Sequence, residues 1–405
     1  MRTDFLTKIP LCNTYKKIIG LRSNVNWIPK KHLFENSELS DDELNKSFRI
    51  SLVNPNKHNI DHLNKIYRVP WSEYKALFNV GRSFRREIIG QVATFQEFAL
   101  MIRKPSLEII HYLQNTNIDT SLINRYIIYG PNGSGKSMML CHLLHYVVKV
   151  EDWFLFHIPN CAAISAKYKE VVPSTSNPNK FDLPNESNFL LKHFYNQNEE
   201  KLKKFDIKTS QDYVWNKRET TVMNSPLLDL IKLGIERPLY ATDIVGILFK
   251  ELKLQACTLK FKIILIADVV NAFFGSSRIP DQNKRYIDCN DVALIYHIKK
   301  MLKNDWVGGA AICTIDDQYL NEKREKNHSF MPKYLLKSEG FEFFDPFMPV
   351  SLKNFNQSEM FNMIDYYIER KWLQHPSAET YDCKKEIFYL TGGNGLDFYN
   401  FSRTW

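Results

Sequence analysis

The spacing of apolar residues changes repeatedly along the chain, and each change predicts an element. Over 106–113, Leu107, Ile110 and Leu113 fall on one face of a helix that ends near Asn115 and Asn117. The period then shortens, and Tyr126, Ile127, Ile128 and Tyr129 form a run of β-formers that stops at Gly130. From Ser137 the helical period returns, with Leu140, Leu143, Leu144, Val147 and Val148 on the inward side. Short apolar runs at 153–158, 261–267, 310–315 and 347–352 predict further strands. Helical patterns lie between several of them: Ile244, Leu248 and Leu252 follow the caps Thr242 and Asp243, while Leu294, Ile298 and Met301 follow Asn290. Near the C-terminus, Asn356 and Glu359 make a capping arrangement ahead of Phe361, Ile364, Ile368 and Trp372. Strands alternating with helices predict an α/β domain with a parallel sheet covered on both faces.

The polar intervals divide the 405 residues into segments. Residues 1–31 carry Arg2, Lys8, Lys16, Lys17, Arg22, Lys30 and Lys31 against the single acid Asp4. Leu11, Tyr15, Ile18 and Ile19 fall at helical spacing there, the chemistry of a mitochondrial transit peptide. A polar, acidic stretch around Glu38, Asp41, Asp42 and Glu43 reads as a linker over 32–60. An N-terminal helical segment is expected over 61–120, the sheet domain over 121–352 with an insertion at 161–240, and a C-terminal helical region over 353–405. The insertion, with Lys201, Lys203, Lys204 and Lys208 close together, is expected to touch partners. The net charge of +9 favours polyanionic partners such as RNA. Seven scattered cysteines without a C-x-x-C pair give neither a disulfide framework nor a zinc ribbon, and no run reaches the roughly 18 to 20 apolar residues of a membrane span.

Between the 126–129 run and the following helix the chain reads GPNGSGKS, which satisfies G-x-x-x-x-G-K-[ST]. Gly130, Pro131, Asn132, Gly133, Ser134 and Gly135 would turn backbone N–H groups toward phosphate oxygens, and the helix that starts at Lys136, Ser137 and Met138 adds the positive end of its dipole. Lys136 would bring a full charge to the β and γ phosphates, and the Ser137 hydroxyl would coordinate Mg²⁺. The second metal contact is expected from Asp268, at the tip of the apolar run 263–267. Val269 follows, where many ATP-hydrolysing P-loop proteins have glutamate, so slow or no hydrolysis is expected. Asn271 is read as a turn residue rather than as a water-orienting group. Cys141, His142 and His145 are read as packed side chains rather than metal ligands. No Asn-Lys-x-Asp string follows a strand, so the residues leave guanine and adenine both open.

Beyond this loop the chain resembles the death-associated protein 3 family of mitochondrial small-subunit ribosomal proteins. The likeness runs over about 60–375 and is carried by MIRKPSLEIIHYLQNTN (101–117), DWFLFHIP (152–159), YVWNKRET (213–220), ATDIVGILFKELK (241–253), KNDWVGGA (303–310), DPFMP (345–349) and WLQH (372–375). The resemblance implies an AAA-like P-loop NTPase fold that binds GTP or GDP with Mg²⁺, with ATP left open. It also implies residence in the mitochondrial matrix and a place in the head of the small ribosomal subunit, against rRNA and ribosomal proteins and close to the large subunit. A link to apoptosis comes with the family. Where relatives have Gly after the metal-binding Asp this chain has Val269, and where they have Ser in the fourth strand it has Cys313. The expected function is therefore a structural ribosomal constituent that holds a purine nucleotide. The alternatives are an active GTPase or ATPase switch in ribosome assembly and an apoptosis-linked interaction protein.

Overall fold

Short runs of branched and aromatic residues, buried on both sides, set the strands around which the chain folds. The computed structural model describes residues 47–403 apart from 79–83, 85, 117–120, 260, 282 and 318–329, so the transit-peptide reading of 1–31 and the 32–46 part of the linker lie outside the described residues. An N-terminal sheet comes first: β1 (Arg49–Ile50) pairs parallel with β2 (Ile66–Val69), which pairs antiparallel with β3 (Phe98–Met101). Two expectations are corrected here. The stretch 47–60, read as linker, contains β1 and two 3-10 turns, and Phe48 within it is buried. The segment 61–120, read as helical, carries β2 and β3 between its helices. Strands of two to four residues are too short to display a period of two, and what fixes them is pairing with distant chain.

The central sheet follows. Its strands are β4 (Asn124–Tyr129), β5 (Trp153–Ile158), β10 (Lys262–Ala267), β13 (Gly309–Thr314) and β14 (Met348–Ser351), in the spatial order β14-β4-β13-β10-β5. Every pairing within it is parallel. All six residues of β5 and of β13 are buried, which means that both faces of the sheet are covered. Among the covering helices, Lys136–Val148 packs on β5, β10 and β13, Pro184–Phe205 on β5, and Ala241–Leu259 on β10. The fold is thus an α/β P-loop architecture, with the loop joining β4 to the helix Lys136–Val148. Outside the sheet lie small antiparallel pairs: β6 (Val172–Pro173) with β7 (Phe181–Asp182), β8 (Tyr213–Val214) with β9 (Thr220–Thr221), and β11 (Ser276–Pro280) with β12 (Tyr286–Asp288).

The 161–240 insertion is largely packed rather than a free surface. Leu190, Leu191, Phe194 and Leu202 of its long helix lie in the main core. Lys201 is not a solvated charge: its ammonium donates to the carbonyls of Val150 at 3.1 Å and Trp153 at 2.5 Å, and burial pulls its pKa down to about 8. Lys203 and Lys204 pair with Glu199 and Glu151.

A second core joins the two ends of the chain. Phe48, Ile66 and Phe95 pack with Met360, Ile364, Tyr367, Ile387 and Phe398. The last three helices, Gln357–Glu369, Tyr381–Thr391 and Gly395–Ser402, are thereby held against the N-terminal sheet. Among the described residues no helix is long and apolar enough to cross a membrane.

Candidate functional site

The site grows out of the C-terminal end of β4, where the chain must turn sharply into a helix. A side chain at Gly130 is excluded, since its Cβ would lie 2.0 Å from the Leu352 carbonyl oxygen at the end of β14. The helix Lys136–Val148 starts at once after Gly135, and its polar first residues face the loop. Lys136 is buried, and its ammonium donates to the carbonyls of Gly130 at 2.9 Å and Pro131 at 3.0 Å. It also lies 3.4 Å from a carboxylate oxygen of Asp316.

Ser137 and Asp268, placed together by the sequence reading, are in contact: the Ser137 hydroxyl donates to Asp268 Oδ2 at 2.7 Å. The other Asp268 oxygen accepts from the Thr314 hydroxyl. Burial pushes the Asp268 carboxyl up, against the pull of these two donors. A hydroxyl and a carboxylate side by side are a hard-oxygen pair that fits Mg²⁺. The Ser134 hydroxyl is buried without a hydrogen-bond partner, a polar atom that a phosphate oxygen in the loop would satisfy.

Above the loop lies a cavity of about 200 Å³. Asn132, Gly133, Gly135, Lys136, Ser137 and Met138 form its loop wall. Gly130 and Pro131 contribute through the carbonyls that hold Lys136, and Asp268 stands behind Ser137 rather than on the wall. The lining also includes the apolar and aromatic Ile88, Phe355, Met363, Tyr366, Leu396 and Tyr399, together with the polar Glu87, Gln91, Arg103 and Asp316. The cavity therefore brings the charged loop groups together with apolar and aromatic side chains.

Several residues of the site were not visible in the sequence. Thr314 receives the Val269 N–H at 2.8 Å besides donating to Asp268, so it ties the ends of β10 and β13 together. Cys313 beside it is fully buried, with its thiol pushed up by burial. Val269 adopts a left-handed backbone, φ 62°, which a β-branched residue rarely does and which glycine would accept without strain. Asn271 is fully engaged with the Asp316 backbone, donating to its carbonyl at 2.8 Å and accepting from its N–H at 3.0 Å. It fixes Asp316 rather than a water. Arg103 donates to the Ser134 carbonyl at 2.7 Å and pairs with Glu359 at 2.8 Å.

Among the described residues no group of three metal-ligating side chains is gathered, and His142 and His145 bond to neighbouring side chains. His142 Nε2 lies 3.0 Å from His58 Nδ1, and His142 Nδ1 lies 2.9 Å from the Ser106 hydroxyl. His145 lies between the Tyr67 hydroxyl at 3.1 Å and Glu73 at 2.6 Å. The contact with His145 is the main reason the Glu73 carboxyl falls to about 2.

Comparison with known proteins bears on the family of the chain as a whole. The profile of the family described as mitochondrial ribosomal death-associated protein 3 matches residues 100–400. The small ribosomal subunit protein mS29 of Bos taurus is 40% identical over 340 residues, covering 84% of this chain and 84% of that one. Its namesake in Mus musculus is 36% identical over 360 residues, covering 89% and 90%. Among solved structures, a Walker-type ATPase of Pyrococcus abyssi aligns with a TM-score of 0.38 at 12% identity, over 74% of this chain and 65% of that one. By the extent of the profile match and by these identities, the chain belongs to the mitochondrial ribosomal death-associated protein 3 family.

Proposed function

We propose that this protein is a structural constituent of the small subunit of the mitochondrial ribosome, resident in the matrix, and that it holds a purine nucleotide with Mg²⁺ on its phosphate loop. The ribosomal reading rests on family membership across most of the chain, with relatives named as small ribosomal subunit proteins. Its partners would be small-subunit rRNA and neighbouring ribosomal proteins, with contact toward the large subunit. The net charge of +9 supports a salt-sensitive association with RNA backbone.

The observation that carries nucleotide binding is the Ser137–Asp268 contact at 2.7 Å directly behind a glycine loop whose lysine is held in place. GTP or GDP is the favoured ligand on the family resemblance, and ATP stays open. Slow or absent turnover is supported by Val269 in the position of a catalytic glutamate and by Asn271, whose amide is committed to the Asp316 backbone. The nucleotide then acts as a folding ligand: one present at 100 times its dissociation constant stabilises the bound state by about 2.7 kcal/mol.

The test pairs binding with assembly. Lys136→Ala is expected to weaken Mg-nucleotide binding by about 10- to 100-fold in calorimetry, because a charged donor to phosphate contributes roughly 1.5 to 3 kcal/mol. In sedimentation of mitochondrial lysate, tagged wild-type protein should travel with small-subunit RNA and the variant should shift toward free fractions. Wild-type protein found only in free fractions would refute the ribosomal reading. Sustained hydrolysis lost in Lys136→Ala would favour the switch.

A further inference from the structure

Three consecutive peptide groups of the phosphate loop are held from outside. The carbonyl of Asn132 accepts from the Asn394 side-chain amide at 2.7 Å. The carbonyl of Gly133 accepts from the Gly395 N–H at 3.0 Å. The carbonyl of Ser134 accepts from Arg103 at 2.7 Å. In a planar trans peptide the C=O and the next N–H point in opposite directions. Fixing these carbonyls outward therefore turns the N–H groups of Gly133, Ser134 and Gly135 to the opposite side, where that of Ser134 donates to the Pro131 carbonyl within the loop at 3.3 Å.

The donors come from Arg103, ahead of the loop in sequence, and from Asn394 and Gly395 near the C-terminus. Asn394 is the N-cap of the helix Gly395–Ser402, its side-chain oxygen accepting from Leu396 at 3.0 Å and Asp397 at 3.2 Å while its amide reaches the loop. Arg103 is bound to Glu359, which closes the capping box of the helix Gln357–Glu369. The approach is tight enough to require glycine at position 133: a Cβ there would lie 2.1 Å from the Asn394 side-chain oxygen and 2.8 Å from Leu396. The Asn394 and Gly395 contacts need the C-terminal helices docked, and Arg103 is held by Glu359 of one of those helices.

We infer that Arg103, Asn394 and Gly395 are positioning residues of the phosphate loop, so that docking of the C-terminal helices and binding of a Mg-nucleotide strengthen each other. This inference rests on the nucleotide-binding reading above. A carbonyl already bonded on its outer side keeps its peptide plane from flipping, so less order remains to be imposed when phosphate binds. By linkage the reverse holds equally: bound nucleotide tightens docking of 394–402 by the factor by which docking tightens the nucleotide.

Asn394→Asp separates this role from helix capping, because Asp caps as well as Asn but has no N–H to give to Asn132. Asn394→Ser is the companion variant, a second capping residue too short to reach the loop. Calorimetry with Mg-GDP, and with Mg-ADP as a second probe, is expected to show about a tenfold weaker dissociation constant in both variants. Hydrogen exchange on the full chain supplies a readout that a purely structural cap would not move. Nucleotide should slow exchange at amides 395–402 in the wild type and do so less in the variants. Wild-type affinity in both variants, or wild-type protein that binds nucleotide without any change at 395–402, would overturn the coupling alone. Failure of the wild type to bind either probe would overturn the nucleotide reading and this inference with it.

Discussion

Asp268 is half-buried and accepts hydrogen bonds from hydroxyls on two sides, Ser137 on the loop helix and Thr314 on the neighbouring strand. Removing one of these donors without changing shape tests how the carboxylate is held. Thr314→Val takes away the donor to Asp268 and the acceptor of the Val269 N–H, leaving two buried groups short of a partner. Each such group costs about 1 to 3 kcal/mol, so the variant is expected to lose roughly 2 to 6 kcal/mol in urea unfolding. A loss below about 0.5 kcal/mol would show that neither bond matters. Lys136, Ser137 and Asp268 were legible in the sequence because a phosphate loop fixes residue types at fixed spacing and an apolar strand ends in an acid. Thr314, Asp316 and Arg103 were not, since nothing in a Thr, an Asp or an Arg announces which distant backbone it will bond.

Among elements, the helix Lys136–Val148 is buried nearly all round, which is why His142 and His145 bond to side chains of other elements instead of water. The Leu52 carbonyl can only accept, so at 2.9 Å it sets the His58 proton on Nε2 and leaves Nδ1 to take one from His142. Burial moves the His58 pKa from 6.5 down to about 4 and the His142 pKa further below the ordinary range. The sign follows directly. Between those pH values the unfolded chain binds protons that the folded one refuses, so the stability present above pH 6.5 is lost as pH falls toward 4. His58→Gln keeps one donor and one acceptor, and is expected to remove up to one proton from that slope, about 1.4 kcal/mol per pH unit. Urea unfolding at steps between pH 7.5 and 4.5 would show it, and an unchanged slope would mean that His58 is charged in the folded protein. Elements with strong local signals were read correctly from sequence: the Asn356–Glu359 capping box is present, and the runs at 153–158 and 261–267 became β5 and β10. Those missed, β1 to β3, have no local signal because they are made by pairing.

For the whole molecule the consequence is that the 47–60 stretch belongs to the architecture around the candidate site, not to a tether in front of it. Arg49, beside β1's only other residue Ile50, donates to Glu97 at 2.9 Å and 3.1 Å and to Glu369 at 2.6 Å, and Arg370 closes the group at 2.7 Å from Glu97. Burial opposes the Arg49 charge, but the two carboxylates outweigh it and hold the guanidinium above its usual range. This cluster joins the N-terminal sheet to the helix Gln357–Glu369, whose Met363 and Tyr366 line the cavity. A buried ion group contributes little relative to a well-packed apolar one, yet losing a single member strands the others. Arg49→Ala is therefore expected to cost about 3 to 5 kcal/mol, more than replacing the whole group by Arg49→Met, Glu97→Leu, Glu369→Leu and Arg370→Met together, as measured by unfolding in urea. Equal losses would mean that the charges themselves, rather than their pairing, hold the two ends of the chain together.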